Sequence, residues 1–183
     1  MVSQEESLYP SDLFEETSEQ TPDRHWWAVY TKSRQEKVFS RHLLANQIPH
    51  YLPLVQKTYM SCGRRFSARV PLFPGYVFML SSEQERACSF TSNRVSRILP
   101  VYDPDRLFTD LRQVSWLISS GASLTEEQRL GPGNRVRVRS GALAGMEGVV
   151  RVRRGATRLI VTVAFLQQGA SVEVDDFNLE PIG

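Results

Sequence analysis

The stretch that most constrains the fold runs from Pro71 to Leu80 and reads Pro-Leu-Phe-Pro-Gly-Tyr-Val-Phe-Met-Leu. Both prolines and Gly75 precede an unbroken apolar and aromatic run, so the sequence predicts a turn that leads into a β-strand. Alternate residues of a strand face opposite sides, and both sides of this strand are apolar. We therefore expect a central strand, with one face on the core and the other face either buried or used by a partner.

The chain has 183 residues, with the apolar and charged fractions of a globular protein. No apolar run approaches the ~20 residues that span a bilayer, and the first residues are acidic and polar, unlike a signal peptide. These features predict a cytoplasmic protein with no membrane partner. Cys62, Cys88 and the three histidines lack metal-ligand spacing, so we expect free thiols, no metal and no other cofactor.

The formal net charge of +2 is divided unevenly along the chain. Residues 1–24 hold seven acids and one arginine, a net charge of −6, so the remaining residues carry +8. The first segment is rich in Ser, Glu, Thr and Pro and lacks periodicity, which predicts a disordered acidic tail over residues 1–24. The basic remainder suits contact with nucleic acid or an acidic protein surface, although solvated surface charge is the ordinary explanation.

Residues 25–121 mix strand and helix patterns. The aromatic run at 26–31 predicts a strand, and Ser33 with Glu36 predicts a capping box that opens a helix. The elements predicted next are an irregular strand at 48–55, a hairpin with arms 56–60 and 64–70, the central strand, a helix at 82–93, a strand at 95–101 and an amphipathic helix at 103–121. This order predicts an α+β domain whose antiparallel sheet is flanked by helices.

The second part of the chain differs in composition and in its pattern of strands and turns. Residues 122–131 have linker composition, and residues 132–183 contain short strands rich in valine and arginine, separated by glycine turns. Five short strands in about fifty residues predict a small all-β barrel. The predicted organisation is therefore a tail at 1–24, a domain at 25–121, a linker at 122–131 and a barrel at 132–183.

Two segments together resemble the NusG family of transcription elongation and antitermination factors. The run 71–78, preceded by Trp-Trp-Ala-Val-Tyr-Thr-Lys at 26–32, resembles the N-terminal (NGN) domain of that family. The glycine- and valine-rich run 133–150 resembles its SH3-like KOW barrel. In motif the chain is most similar to specialised RfaH-like and UpxY-like paralogues, although Arg94 and Asn134 stand where the family commonly has Gly and Asp.

The resemblance implies a monomeric, non-enzymatic factor that binds the clamp helices of RNA polymerase and bridges the cleft that holds DNA. It also implies that the KOW domain recruits a ribosomal protein or the termination factor Rho. The residues that match the family's polymerase-binding positions are Tyr30, Tyr76, Phe78 and Ile98. The residues expected near non-template DNA are Lys32, Arg64, Arg65 and Arg69, and those expected to bind the KOW partner are Leu143, Met146 and Phe165.

Plainer explanations of these residues stay open. Phe73 and Val77 suit the core, Lys32 suits a solvated surface, and Phe165 could plug the open end of a small barrel. The chain shows no nucleotide-binding loop and no pairing of nucleophile with base, which disfavours an enzyme.

The main alternative function is a KOW-containing ribosomal or ribosome-assembly protein that binds RNA directly. Its expected footprint is Arg135, Arg137, Arg139, Arg151, Arg153, Arg154 and Arg158. Such proteins usually carry a stronger positive excess than the seven bases and five acids of residues 132–183.

Overall fold

The structure, a computed structural model, describes residues 7–15, 23–122, 124–127, 133–153, 156–175 and 178–182. It divides into two compact units, residues 1–104 and 105–183, and each is described by itself. None of the helices in the described part of the chain is long and apolar enough to cross a membrane.

The first unit contains seven strands and two helices among its described residues. They are β1 (Leu8–Tyr9), β2 (His25–Thr31), α1 (Glu36–Ala45), β3 (His50–Tyr51), β4 (Leu54–Ser61), β5 (Arg64–Pro71), β6 (Tyr76–Ser81), α2 (Glu83–Phe90) and β7 (Val95–Pro100). Five of the strands form an antiparallel sheet in the order β1-β3-β6-β2-β7. The predicted central strand is β6, and its place in the middle of the sheet is confirmed.

The two faces of this sheet are both apolar but have different composition. Val29 of β2 lies opposite Val77 of β6, and both pack with Phe39 and Leu43 of α1 in a buried cluster. Residues directly opposite each other on neighbouring strands share a face. The other face, which we call the aromatic face, therefore carries Trp26, Tyr30, Tyr51, Tyr76 and Phe78.

Residues 7–15, which we call the N-terminal strap, are folded onto the sheet. Leu8 of β1 pairs with Tyr51 of β3, and the N–H of Leu52 donates to the carbonyl of Ser7 at 2.7 Å. Leu13 and Phe14 are buried. The predicted disorder is wrong for the strap, because its few apolar side chains find partners on the sheet in spite of the acidic composition. Residues 1–6 and 16–22 of the predicted tail lie outside the described residues.

The first helix begins differently from its prediction. Gln35 is the N-cap of α1 and makes no side-chain cap, so the predicted capping box of Ser33 and Glu36 is wrong. The Glu36 carboxylate instead accepts a hydrogen bond from the backbone N–H of Gly75 at 2.7 Å. The predicted capping box of Ser82 and Glu85 is confirmed at the start of α2.

Strands β4 and β5 form a separate two-stranded hairpin. Eight cross-strand pairs run from Leu54 opposite Pro71 to Ser61 opposite Arg64. Cys62 and Gly63 make the turn, with φ angles of 49° and 71°, and positive φ at both residues is typical of a type I′ turn. Every residue from 56 to 69 is exposed. The predicted hairpin is therefore confirmed, and most of its length has no protein cover.

The second unit contains one helix and a six-stranded antiparallel sheet among its described residues. Helix α3 (Pro104–Ser119) begins at the last residue of the first unit, and the strands are β8 (Thr125–Glu127), β9 (Asn134–Val138), β10 (Glu147–Arg153), β11 (Ala156–Val163), β12 (Gln168–Glu173) and β13 (Leu179–Pro181). The sheet order is β13-β9-β10-β11-β12-β8. Val136, Met146, Leu159 and Val161 are buried in this unit.

The boundary between the units differs from the predicted division at residues 121 and 131. Asp110 of α3 accepts a hydrogen bond from the N–H of Ala164 at 2.8 Å, and Gln113 accepts one from the N–H of Glu147 at 3.2 Å. These polar side chains of the amphipathic helix meet backbone donors of the second unit, so most of α3 groups with that unit. Strand β8 lies inside the predicted linker and pairs with β12, so the linker prediction is wrong at 125–127.

Candidate functional site

Tyr30 and Tyr76 form an exposed aromatic pair at one end of the aromatic face. They lie directly opposite each other on β2 and β6, and their ring centroids are 5.1 Å apart. Tyr30 is 43% exposed and Tyr76 is half-buried. Two of the predicted polymerase-binding residues therefore come together as a surface patch, which we call the open end.

The turn before β6 holds the Tyr30 ring in place. Gly75 has a φ of +87°, its N–H donates to Glu36, and its carbonyl accepts from the N–H of Thr31 at 2.8 Å. A Cβ added at Gly75 would stand 2.6 Å from Cε2 of Tyr30, well inside van der Waals contact. The glycine of the Pro-Gly-Tyr run therefore makes room for the ring that packs over it.

The other two predicted polymerase-binding residues are not part of the open end. Phe78 is fully buried, and its ring packs edge-on to Phe73 with centroids 6.4 Å apart. Ile98 lies opposite Val29 and packs against the cluster beneath α1, on the opposite face of the sheet. Phe73 and Val77 are buried, as the plainer explanation expected.

Arg97 is a residue of this surface that the sequence reasoning missed. It lies opposite Tyr30 on β7, is exposed, and therefore shares the aromatic face. The alternation of side chains along residues 95–100 shows which of them share a face. It does not show which residue of β2 each of them lies opposite. One register places Arg97 beside Tyr30, and a slip by one residue would place Ile98 there.

The residues expected near DNA lie at two places in the first unit. Lys32 is exposed, and its Nζ donates to Oδ1 of Asn93 at 2.8 Å. Arg64, Arg65 and Arg69 are exposed on the hairpin but do not share one face. Arg65 lies opposite Met60, whereas Arg64 lies opposite Ser61 and therefore points to the other side of the ribbon.

The three residues expected to bind a KOW partner have different environments. Met146 is fully buried, so it stabilises the second unit and presents no surface to a partner. Leu143 is also buried and borders a groove of about 430 Å³, together with Val138, Val172 and Asn178. Phe165 is half-buried in the short 3₁₀ turn Ala164–Leu166 after β11 and does not line that groove.

The arginines of β9, and Arg139 directly after it, are paired with acids. Arg137 contacts Glu147 at 2.6 Å, Arg139 contacts Glu180 at 3.5 Å, and Arg135 lies 3.9 Å from Glu147. These carboxylates compensate much of the positive charge along the strand. Among the other arginines of the RNA footprint, Arg158 donates to Oγ and the carbonyl of Ser171, whereas Arg154 and the side chain of Arg153 lie outside the described residues.

The described residues contain no group of three or more His, Cys, Asp or Glu that could hold a metal ion. Cys62 and Cys88 are free thiols, and Cys62 is exposed at the hairpin turn. The candidate site is therefore a set of binding surfaces: the open end, Lys32, the hairpin, and the Leu143 groove with Phe165.

Residues 24–112 match the family model described as "Transcription termination factor nusG". These residues form a NusG-family domain. The match begins just before β2 and ends within α3, so it includes the open end and the hairpin. None of the curated proteins matches the chain.

A solved structure described as "Crystal Structure of MjSpt4:Spt5 complex conformation B" is similar at 15% sequence identity, over 86% of this chain and 97% of that chain. The TM-score of this match is 0.28.

Proposed function

We propose that the protein is a transcription elongation and antitermination factor whose NusG-family domain docks on the clamp helices of RNA polymerase. The match over residues 24–112 supports a role in transcription elongation. The observation that carries the docking proposal is the exposed Tyr30–Tyr76 pair, held by the Gly75 turn inside the matching domain. The factor acts by binding, and its own residues carry out no covalent step.

The open end has the physical properties of an anchor for a partner helix. Two aromatic rings on adjacent strands offer apolar area with few rotatable bonds, so little side-chain entropy is lost on binding. Helices dock on such patches through an apolar stripe, and aromatic anchors usually carry most of the affinity. Arg97 beside the pair adds a cation that suits an acidic residue of the partner.

Lys32 and the hairpin arginines are proposed to face DNA near the polymerase cleft. Lys32 follows β2 directly, within two residues of the open end, so docking would bring its ammonium group to the edge of the polymerase contact. Exposed cations of this kind act mainly through phosphate attraction, which weakens with salt.

The second unit is proposed to recruit a ribosomal protein or Rho, as the resemblance to KOW domains implies. Phe165 and the groove beside Leu143 are two accessible apolar features among its described residues, whereas Met146 supports the fold from within. The alternative of direct RNA binding by this unit is disfavoured, because Glu147 and Glu180 pair with Arg137 and Arg139, which belong to the expected footprint.

The test of polymerase docking measures the affinity of the full chain for purified core RNA polymerase without nucleic acid. Tyr30→Ala combined with Tyr76→Ala is expected to weaken binding at least about tenfold, the scale for truncating aromatic anchors. Tyr102→Ala is the matched control, because Tyr102 is a 91% exposed aromatic residue of the same unit outside the open end. A polymerase with substituted clamp-helix tips should lose binding to the parent chain. Equal affinity of parent and double variant for core polymerase would refute the docking proposal.

A further inference from the structure

The hairpin of β4 and β5 exposes two aromatic rings that a structural role does not require. Tyr59 and Phe66 lie directly opposite each other, and they are 45% and 52% exposed. A cross-strand aromatic pair stabilises a ribbon by only about 0.2–1 kcal/mol. Large apolar rings grouped on a solvent-exposed ribbon are typical of a surface that binds something.

Positive charge surrounds these rings. Lys57 lies two residues before Tyr59 and Arg64 two residues before Phe66, so both cations share the face of the rings. Each stands about 7 Å along its strand from the nearer ring, on opposite sides of the pair. From Leu54 to Pro71 the sequence has four basic residues and no acidic one.

Lys57, Arg64 and Arg65 of the hairpin differ from the arginines along β9 in their acidic partners. Within the described part of the chain, no carboxylate forms an ion pair with Lys57, Arg64 or Arg65. Arg137 of β9 and Arg139, which directly follows that strand, by comparison pair with Glu147 and Glu180. Among the described residues, a polyanion would therefore find Lys57, Arg64 and Arg65 without an acidic partner, whereas the arginines along β9 are already paired.

We propose that one face of the hairpin, the stacking face of Lys57, Tyr59, Arg64 and Phe66, binds single-stranded DNA. Unpaired bases stack on the two rings, and the adjacent phosphates contact the ammonium and guanidinium groups. Because every base has a flat apolar surface, this mode of binding tolerates many sequences. In a duplex the base surfaces are covered by their neighbours, so the rings would add nothing and only phosphate attraction would remain.

The choice of DNA rests on the proposed function, which brings this domain beside the non-template DNA strand near the polymerase cleft. The stacking itself depends on the hairpin alone. Eight cross-strand pairs and the two-residue turn fix the rings before any ligand arrives. The reverse face carries Met60, Arg65 and Arg69 and has no ring, so the same hairpin provides an internal control.

The test measures fluorescence anisotropy of a labelled mixed-sequence DNA strand of about 16 nucleotides, the upper end of common site sizes, with the full chain and no polymerase. Tyr59→Leu with Phe66→Leu keeps apolar bulk and removes both rings, and we expect affinity for the strand to fall at least about fivefold. Met60→Leu on the reverse face is the matched control and should bind like the parent. Tyr59→Phe keeps the ring and should also bind like the parent. Circular dichroism of each variant checks that the full chain remains folded.

The contribution of the cations is measured separately, by the salt dependence of binding. Lys57→Gln with Arg64→Gln should make the dependence of log affinity on log salt less steep by about 1.4, at about 0.7 per phosphate contact with a single strand. The leucine variant should lose affinity and keep the parent slope. If the Lys57→Gln, Arg64→Gln variant keeps the parent's salt dependence, as the leucine variant should, the assignment of phosphates to these cations is overturned.

Other ligands give different results. Equal binding of the strand and its duplex, unchanged in the leucine variant, would overturn the stacking proposal and leave phosphate attraction alone. A preference of about tenfold for RNA of the same sequence would overturn the choice of DNA. Displacement of the labelled strand from the parent by poly-glutamate as effectively as by unlabelled strand would overturn it in favour of an acidic protein.

The two proposals can fail independently. The leucine variant of the hairpin should keep the parent affinity for core polymerase, and the Tyr30→Ala, Tyr76→Ala variant should keep the parent affinity for the free DNA strand. Loss of polymerase affinity as well in a folded hairpin variant would overturn the assignment of polymerase docking to the open end alone, because the hairpin would then serve both partners.

Discussion

The two ends of the aromatic face carry similar residues in opposite environments. At one end, Phe14 of the strap stacks on Trp26 at 6.4 Å with an interplanar angle of 6°, and meets Tyr51 edge-on at 5.1 Å. Trp26 is buried there. At the other end Tyr30 and Tyr76 contact each other and remain partly exposed. We call the first the covered end.

The difference shows that aromatic content alone does not separate a core from a docking surface. Trp26 and Tyr30 are four residues apart on one strand and face the same side of the sheet. A segment more than ten residues earlier in the chain covers one of them and leaves the other in contact with solvent. The partner of an aromatic side chain, and not its residue type, decides whether it stabilises the fold or is available for binding.

The largest expected effect is a difference in unfolding free energy between a variant of the covered end and a variant of the open end. Trp26→Ala should lower the unfolding free energy by about 3–5 kcal/mol, because it leaves a cavity under Phe14 and Tyr51. Tyr30→Ala should cost less than about 1 kcal/mol, because a partly exposed ring leaves little cavity. Urea unfolding of the full chain, followed by circular dichroism, measures both losses. Similar losses in the two variants would mean that the open end is part of the core.

The central strand could be predicted because its signal is local. The Pro-Leu-Phe-Pro-Gly run and the alternation after it are properties of adjacent residues, and the structure confirms both the turn and the strand. The capping box at Ser82 and Glu85 succeeded for the same reason. At Ser33 and Glu36 the same pattern failed, because Glu36 makes a contact with Gly75, which is distant in sequence.

The features that could not be predicted depend on distant pairing. Register between β2 and β7 places Arg97 on the aromatic face and Ile98 beneath α1, and no single strand encodes that register. The strap was missed because average composition hides the three apolar residues Leu8, Leu13 and Phe14. The exposure of Tyr59 and Phe66 was missed because only the fold shows that the hairpin leaves the sheet.

The next effect tests whether the strap is what covers Trp26. Phe14→Ala should cost less than Trp26→Ala, because the strap can detach locally while the rest of the sheet stays folded. Hydrogen exchange should accelerate at the amide of Leu52, which donates to Ser7, and tryptophan fluorescence should shift to longer wavelength. Asp12→Ala changes an exposed strap residue and serves as the control. Unchanged exchange at Leu52 in Phe14→Ala would show that the ring does not hold the strap.

The smallest expected effect is a pH dependence at the edge where the strap pairs. His50 lies opposite Tyr9 of the strap and is fully buried. Its Nδ1 is 2.9 Å from the carbonyl of Ile48, which can only accept, so Nδ1 carries a proton. In the neutral ring, Nε2, at 2.8 Å from Oγ of Ser40, accepts from that hydroxyl.

Burial lowers the pKa of His50 below its ordinary value of about 6.5, and the hydrogen bond to Ile48 offsets only part of that shift. Between the lowered pKa and about 6.5 the unfolded chain binds more protons than the folded one, so stability is fully present above pH 6.5 and falls as the pH drops. The slope contributed by this residue is at most about 1.4 kcal/mol per pH unit. Urea unfolding from pH 8 to pH 5 should show the decline in the parent and in His25→Gln, which changes an exposed histidine, and a weaker decline in His50→Gln. If stability falls equally in His50→Gln and the parent, a group other than His50 titrates. The strap edge would then contribute no more to the loss of stability at low pH than the open end does.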